Sequence, residues 1–256
     1  MNARLAAAVL AALAVSCGGS TPSTPSPSSS GAFTAAALFA SAHFVSFYTT
    51  LDSKNIEVIA RAAEAEYSRI LHDLGVDTMP AVQVHLYADH QTLEAAVAAV
   101  AGPIPSWTSG LATAQDQIHL MSPNHPAYAP FDRMLSNIVH EFAHCVSMRV
   151  NPRIPNNPRW LWESVAIYES GQFVDPKTLS YMTASRPPAF AALNSLDNTL
   201  IYDVGYTIAA FIVSKGGQAA LDELVRNNGD VAATFGIALD AFEREWYGFV
   251  RARYGI

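Results

Sequence analysis

Cysteine, lysine and charge are all scarce in this chain. Two cysteines occur in 256 residues, Cys17 and Cys145, so no framework of disulfides holds the fold and a buried core must do so. Lysine appears three times, at Lys54, Lys177 and Lys215, and no basic run exists. Lys and Arg number 15 against 22 Asp and Glu, a formal net charge of −7. Nothing in that pattern would neutralise a row of phosphates, which excludes nucleic acid as an expected partner. Charged residues make up only 14% of the chain, too few for a disordered acidic or basic protein, and 50% are apolar. The longest apolar run, residues 5–15, is too short to span a bilayer, which takes about 20 residues.

What is present first is a processed-looking start. Arg4 is the sole charge among the first twenty residues, and the apolar run after it ends Leu13-Ala14-Val15-Ser16-Cys17-Gly18. A basic start, a short apolar stretch and then small residues predict an export signal. The last part resembles the lipobox of bacterial lipoproteins, with Ala14 where Leu is usual. That resemblance implies that residues 1–16 are a signal peptide and that the thiol of Cys17 carries lipid. It places the protein at the bacterial cell envelope, in the outer membrane or at the cell surface. Residues 20–30 are Ser, Thr or Pro throughout. Such a segment buries nothing and reads as a semi-extended tether, so residues 17–32 hold off a folded domain at 33–256. No internal repeat and no second linker follow.

Within that domain the hydrophobic period changes in order. Residues 55–74 are apolar at helical spacing, 81–88 alternate as a strand does, and 90–101 return to the helical pattern. Two extended stretches, 107–114 and 117–121, flank Gln115-Asp116 and predict a hairpin. Residues 131–150 are helical, 152–158 form a proline-rich loop, and 160–171, 201–214, 217–227 and 239–253 predict further helices. Lys215-Gly216-Gly217 reads as a helix stop. A small sheet followed by a run of helices predicts an α+β fold.

The chemistry concentrates in Val139-His140-Glu141-Phe142-Ala143-His144-Cys145. On a helix, residues four apart share a face, so His140 and His144 present two imidazoles to one ion. Glu141 follows the first of them and reaches a water on that ion. Eighteen residues separate His144 from Glu163, in the helical stretch Trp160-Leu161-Trp162-Glu163-Ser164. The intervening loop with Pro152, Pro155 and Pro158 lets the second helix fold back on the first. Two histidines and a carboxylate leave a fourth position open, the mark of a catalytic Zn²⁺ site. His85, His119 and His125 do not fall into a metal-ligand spacing and are left out of the set, and Trp160 and Trp162 are expected to anchor the second helix.

The segment from HEFAH to the glutamate of WLWES resembles the gluzincin metallopeptidases, in particular the peptidase MA-like family. The likeness extends over most of residues 80–253 and includes VQVHLY and IYDVGYTIAAFIVSKGG; Ser164 stands where that family has Gly. It implies a zincin-like fold, with a small mixed sheet whose edge strand packs on the HExxH helix, and a mainly helical C-terminal lobe. It also implies hydrolysis of a peptide or protein substrate, with Glu141 as general base on a zinc-bound water. A strand-pairing role falls on Gly110 and Leu111. An oxyanion donor is expected downstream, at Tyr202, which matches the resembled segment better, or at Tyr206. A lipid-anchored binding or scaffold protein that kept the fold without turnover is the other class considered; the presence of Glu141 argues for catalysis.

The anchor is directly testable. Cys17→Ala should shift the protein from the membrane fraction to the soluble fraction. A wild-type chain recovered soluble and without lipid would overturn the lipoprotein reading.

Overall fold

Five short strands and the helices packed on them bring the HExxH segment into the interior. The computed structural model describes residue 35 and residues 37–126 and 130–256. The expected signal peptide, Cys17 and the tether at 17–32 lie outside the described residues. Strands β1 (Ala37–Ala40), β2 (Phe44–Tyr48), β3 (Val82–Tyr87), β4 (Gly110–Ala114) and β5 (Gln117–Met121) form one sheet in the order β1-β2-β3-β5-β4. The pairs β2–β3 and β3–β5 are parallel, and the outer pairs β1–β2 and β4–β5 are antiparallel. The hairpin predicted around Gln115-Asp116 is β4–β5, although its first strand starts only at Gly110.

Alternation along β3 sends Val82, Val84 and Leu86 into the core and Gln83 and His85 to the opposite face. Helix α1 (Ile56–Asp73) covers the core face, burying Ile56, Ile59, Ala63, Tyr67 and Ile70 at helical spacing. Helix α2 (His90–Ala101) sits on the other face, where Leu93 and Val97 pack with Tyr87 and Met121. Asp89 caps α2 by accepting the Thr92 N–H at 2.7 Å. β1 and β2 escape the periodicity reading: Ala37–Ala40 is all apolar and mostly exposed, and in β2 the polar Ser46 is buried, so no polar–apolar alternation marks either.

Helix α3 (Phe131–Val150) carries the HExxH segment against the sheet, and helix α4 (Arg159–Glu169) turns back against α3. Asn151 holds that turn in place, donating to Val225 O at 2.8 Å and to Asn228 Oδ1 at 2.9 Å. At the far end of α4, the buried Glu169 accepts from Arg69 of α1 through its carboxylate and its main-chain carbonyl. Short helices α5 (Ser180–Thr183) and α6 (Phe190–Leu193) lead to the long α7 (Ile201–Arg226). Helices α8 (Val231–Phe235) and α9 (Leu239–Tyr254) close the chain. The predicted stop inside α7 is real: Gly217 has φ 73°, a conformation that favours glycine, and it divides the helix into two segments. The architecture is α+β, with a small mixed sheet and a helical C-terminal part.

Helices α4 and α7 make the most extensive helix–helix contact of the fold. Gly205 of α7 permits it: a Cβ there would stand 2.7 Å from Ile167 Cδ1 and 3.3 Å from Ser164 Cα. Gly205→Ala should therefore lower stability, because overpacking of about 1–3 kcal/mol exceeds a helix-propensity gain of at most about 1 kcal/mol. Gly248, in α9, would meet nothing within 4 Å, so Gly248→Ala should raise the denaturation midpoint. The two substitutions, compared by chemical denaturation, must move in opposite directions.

Candidate metal centre

Residues 138–148 of α3 are all buried, which takes His140, Glu141 and His144 out of water as a group. One helical turn separates the two imidazoles, whose centroids stand 4.7 Å apart with perpendicular planes. α4 brings Glu163 across to them: its Oε2 lies 3.3 Å from His140 Nε2 and 3.7 Å from His144 Nε2. Four tetrahedral ligands held about 2.0–2.2 Å from an ion stand about 3.3–3.6 Å from one another, so the shorter spacing matches that of a ligand set and the longer lies just beyond it. Glu163 Oε2 is also buried without a well-directed hydrogen bond, and such an orphaned carboxylate oxygen fits a cation. Among the described residues, His140, His144 and Glu163 form the one group of three such side chains able to hold a metal.

Electrostatics separate the members of the site. Burial opposes the ionisation of Glu163, but hydrogen bonds from His140 and His144 outweigh it and hold the carboxyl well below the usual range. Burial pushes Glu141 up to about 7. It pushes His144 down to about 4, whereas at His140 the same penalty is outweighed by Glu163 and Glu141, which raise it. The rings are clamped differently as well. His140 Nδ1 meets Gln172 Oε1 at 3.1 Å, while His144 Nδ1 has no hydrogen-bond partner and the ring stacks on Trp162 at 3.8 Å. Trp162 thus does more than anchor α4.

The edge strand β4 passes directly over Glu141. A Cβ at Gly110 would stand 2.9 Å from Glu141 Oε1 and 2.4 Å from a Leu120 methyl, so this close approach needs glycine. Ser109 O accepts from Met121 N, and strand alternation then leaves the main-chain groups of Gly110 and Ala112 on the open edge. Ala112 N–H already reaches Glu141. Leu111 turns its main chain toward β5 and contributes its side chain to a cavity wall.

Two cavities, of 880 and 360 Å³, share Gly110, His140, Glu141 and Tyr202 in their walls. The larger extends past Trp107, Asn137, Gln172 and Phe173, and the smaller past Leu111, Met148 and Trp162. Tyr202, near the start of α7, lines both, and burial followed by the charge of Glu163 raises its hydroxyl well above the ordinary range. Tyr206 lines neither and packs against Tyr168 and Phe173. Cys145 donates to Ala114 O at 3.3 Å, away from the ligand set, and His119 bonds Tyr87 at 2.7 Å.

Sequence reasoning missed Arg159 and Gln172. Arg159 is 1% exposed; its Nη1 donates to the carbonyls of Leu193, Ser195 and Asn198, and its Nε lies 4.0 Å from Glu163 Oε1. Its place four residues before Glu163 on one helix was a readable signal. Gln172 lies beyond the helix end, where no periodicity points to the site.

A sequence model of the Peptidase MA superfamily matches residues 62–252, and the chain belongs to that superfamily. No curated protein and no solved structure gives a significant match.

Titration with Zn²⁺ as the probe tests the ligand set. Glu163→Ala should lose more affinity than the about 10–100-fold typical of outer-shell changes, while Glu169→Ala keeps it and loses stability instead. Equal losses would mean that Glu163 is the wrong carboxylate. Because Glu163 and Glu141 raise His140 above the ordinary imidazole range, protons compete with the metal for this ring as pH falls. Affinity should then weaken by up to about tenfold per pH unit.

Proposed function

We propose that this member of the peptidase MA superfamily is a zinc-dependent peptidase of the gluzincin type, anchored at the bacterial cell envelope through lipid on Cys17. The observation that carries the proposal is the convergence of His140, His144 and Glu163 at ligand spacing, with Glu141 beside them under an open strand edge. Zinc suits a donor set of two imidazoles and one carboxylate, and when bound it supplies a Lewis acid that polarises the scissile carbonyl and acidifies water.

The chain's own residues do the rest. A peptide in extended form pairs with β4 through the main-chain groups of Gly110 and the carbonyl of Ala112, an affinity that depends little on side chains. The side chain of Leu111 borders the space its residues occupy. Glu141 takes the proton of the attacking water and passes it to the leaving amine. Burial raises the Glu141 carboxyl, and a carboxylate made more basic in this way takes up the water's proton more readily before handing it on. Tyr202 keeps its proton because burial and the neighbouring carboxylates oppose its loss. Its hydroxyl therefore remains a donor to the oxyanion that develops on the substrate. The peptide or protein substrate sits across the two cavities that meet at these residues.

The acid–base assignment fails if Glu141→Gln, with its zinc content intact, still cleaves a peptide library at the parental rate; loss of turnover is expected. Tyr202→Phe should lower kcat by about 10²–10³ with KM little changed, because the bond it removes forms mainly in the transition state. Tyr206→Phe, which removes a hydroxyl from a packing position, should leave turnover near normal.

A further inference from the structure

Of the three ligand residues, His140 is held by a chain of amide hydrogen bonds that begins beside the edge strand. Asn137 Nδ2 donates to Ser109 Oγ at 3.1 Å, one residue before β4. With its Nδ2 thus engaged, Asn137 presents Oδ1 to Gln172, whose Nε2 donates to it at 3.0 Å and lies 3.1 Å from Ser136 Oγ. That leaves Gln172 Oε1 to face His140 Nδ1, at 3.1 Å. Since Oε1 can only accept, Nδ1 carries a proton, and Nε2, 3.3 Å from Glu163 Oε2, is the nitrogen left to exchange its proton for a metal. The amide order along the chain therefore selects one tautomer of the ligand.

Backbone geometry places Gln172 for this purpose. Gly171, with φ 68°, reverses the chain after α4, and Gln172 N–H returns to Ile167 O at 3.0 Å. A single helix thus delivers a ligand, Glu163, and through its C-terminal turn the clamp on a second ligand. His144, by contrast, has no partner on Nδ1 and relies on the face of Trp162.

We infer that Gln172 is the positioning residue of the metal centre, fixing the tautomer and ring orientation of His140 through an Asn137–Gln172 relay tied to the edge strand at Ser109. The inference rests on the metal reading above. Groups of this kind raise ligand basicity and hold the ring in place, and their loss typically costs about 10–100-fold in metal affinity.

The test compares the full chain with Gln172→Met, which keeps side-chain length but removes the acceptor, and with Gln172→Glu, which keeps the acceptor. Zn²⁺ affinity is read by competition with a chelator, with melting of the metal-free forms as a check on folding. Gln172→Met should bind Zn²⁺ about 10–100-fold more weakly, and the Nδ1–H resonance of His140 should vanish from its proton spectrum. Gln172→Glu should recover most of that affinity. Parental affinity in Gln172→Met would overturn the inference, as would a folded Gln172→Glu no better than Gln172→Met. A parent chain that takes up no Zn²⁺, or keeps its full affinity in His144→Ala, would instead remove the metal reading itself.

Discussion

Four ionisable side chains, His140, Glu141, His144 and Glu163, are buried together with too few hydrogen-bond donors to serve them. Glu141 Oε2 and His144 Nδ1 have no hydrogen bond, and Glu163 Oε2 has only the two imidazoles beside it, neither well directed. Burying such groups is costly unless charge is paired or neutralised. Here the cost shows as divergence: Glu141 is pushed up to about 7, His144 down to about 4, and Glu163 is held ionised by the imidazoles. A divalent cation at their common centre would relieve these penalties at once, by giving both imidazole lone pairs and the carboxylate one partner. The rest of the fold exists around that constraint, since eleven consecutive buried residues of α3 need covering on every side.

The covering is uneven in kind. On one side the sheet approaches through its edge strand, and the approach is close only because residue 110 has no side chain to strike Glu141. On the other side α4 stands between α3 and α7, and its own closeness to α7 depends on Gly205. Ser164, where the resembled family has Gly, lies at that crossing with its hydroxyl donating to Trp160 O. The small residue needed for close packing is thus supplied by the opposite helix, and the serine satisfies its own polarity within α4. Arg159 and Arg69 pin the two ends of α4, the first to the carbonyls of the 193–198 segment and the second to Glu169.

How much of this could be read beforehand follows from which contacts are local. His140 and His144 are one helical turn apart, so their shared face is a property of the periodicity. Glu163 was legible one step further out, because the proline-containing loop at 152–158 lets the next helix fold back against the first and the donor set of two histidines wants a carboxylate there. The α+β class followed in the same way from the order of the periods. Gln172 and Trp162 were not legible in their roles: one acts from a non-helical turn, and the other stacks on a ring presented by a different helix. Strand β1 was missed because it is short, uniformly apolar and exposed, and β2 because its polar Ser46 is buried beside Phe44, so that polarity does not follow burial in either.

Tyr202 and Tyr206 show where periodicity stops being able to choose. They are four residues apart on α7, so they fall on nearly the same face, and any argument from helical spacing treats them alike. They differ by about 6 Å along the axis, and at this site that distance decides their surroundings. Tyr202 stands level with Glu163, with the Arg159 guanidinium 5.6 Å from its ring and Trp107 beside it at the cavity mouth. Tyr206, one turn on, has moved past the ligand set into the aromatic packing of Tyr168 and Phe173. What places Tyr202 is the register of α7 against α4, and that register is set at Gly205, between the two tyrosines. The close-packing glycine and the polar tyrosine are therefore parts of one arrangement: a shift of α7 by a turn would put a side chain into Ser164 and take the hydroxyl away from the carboxylates together.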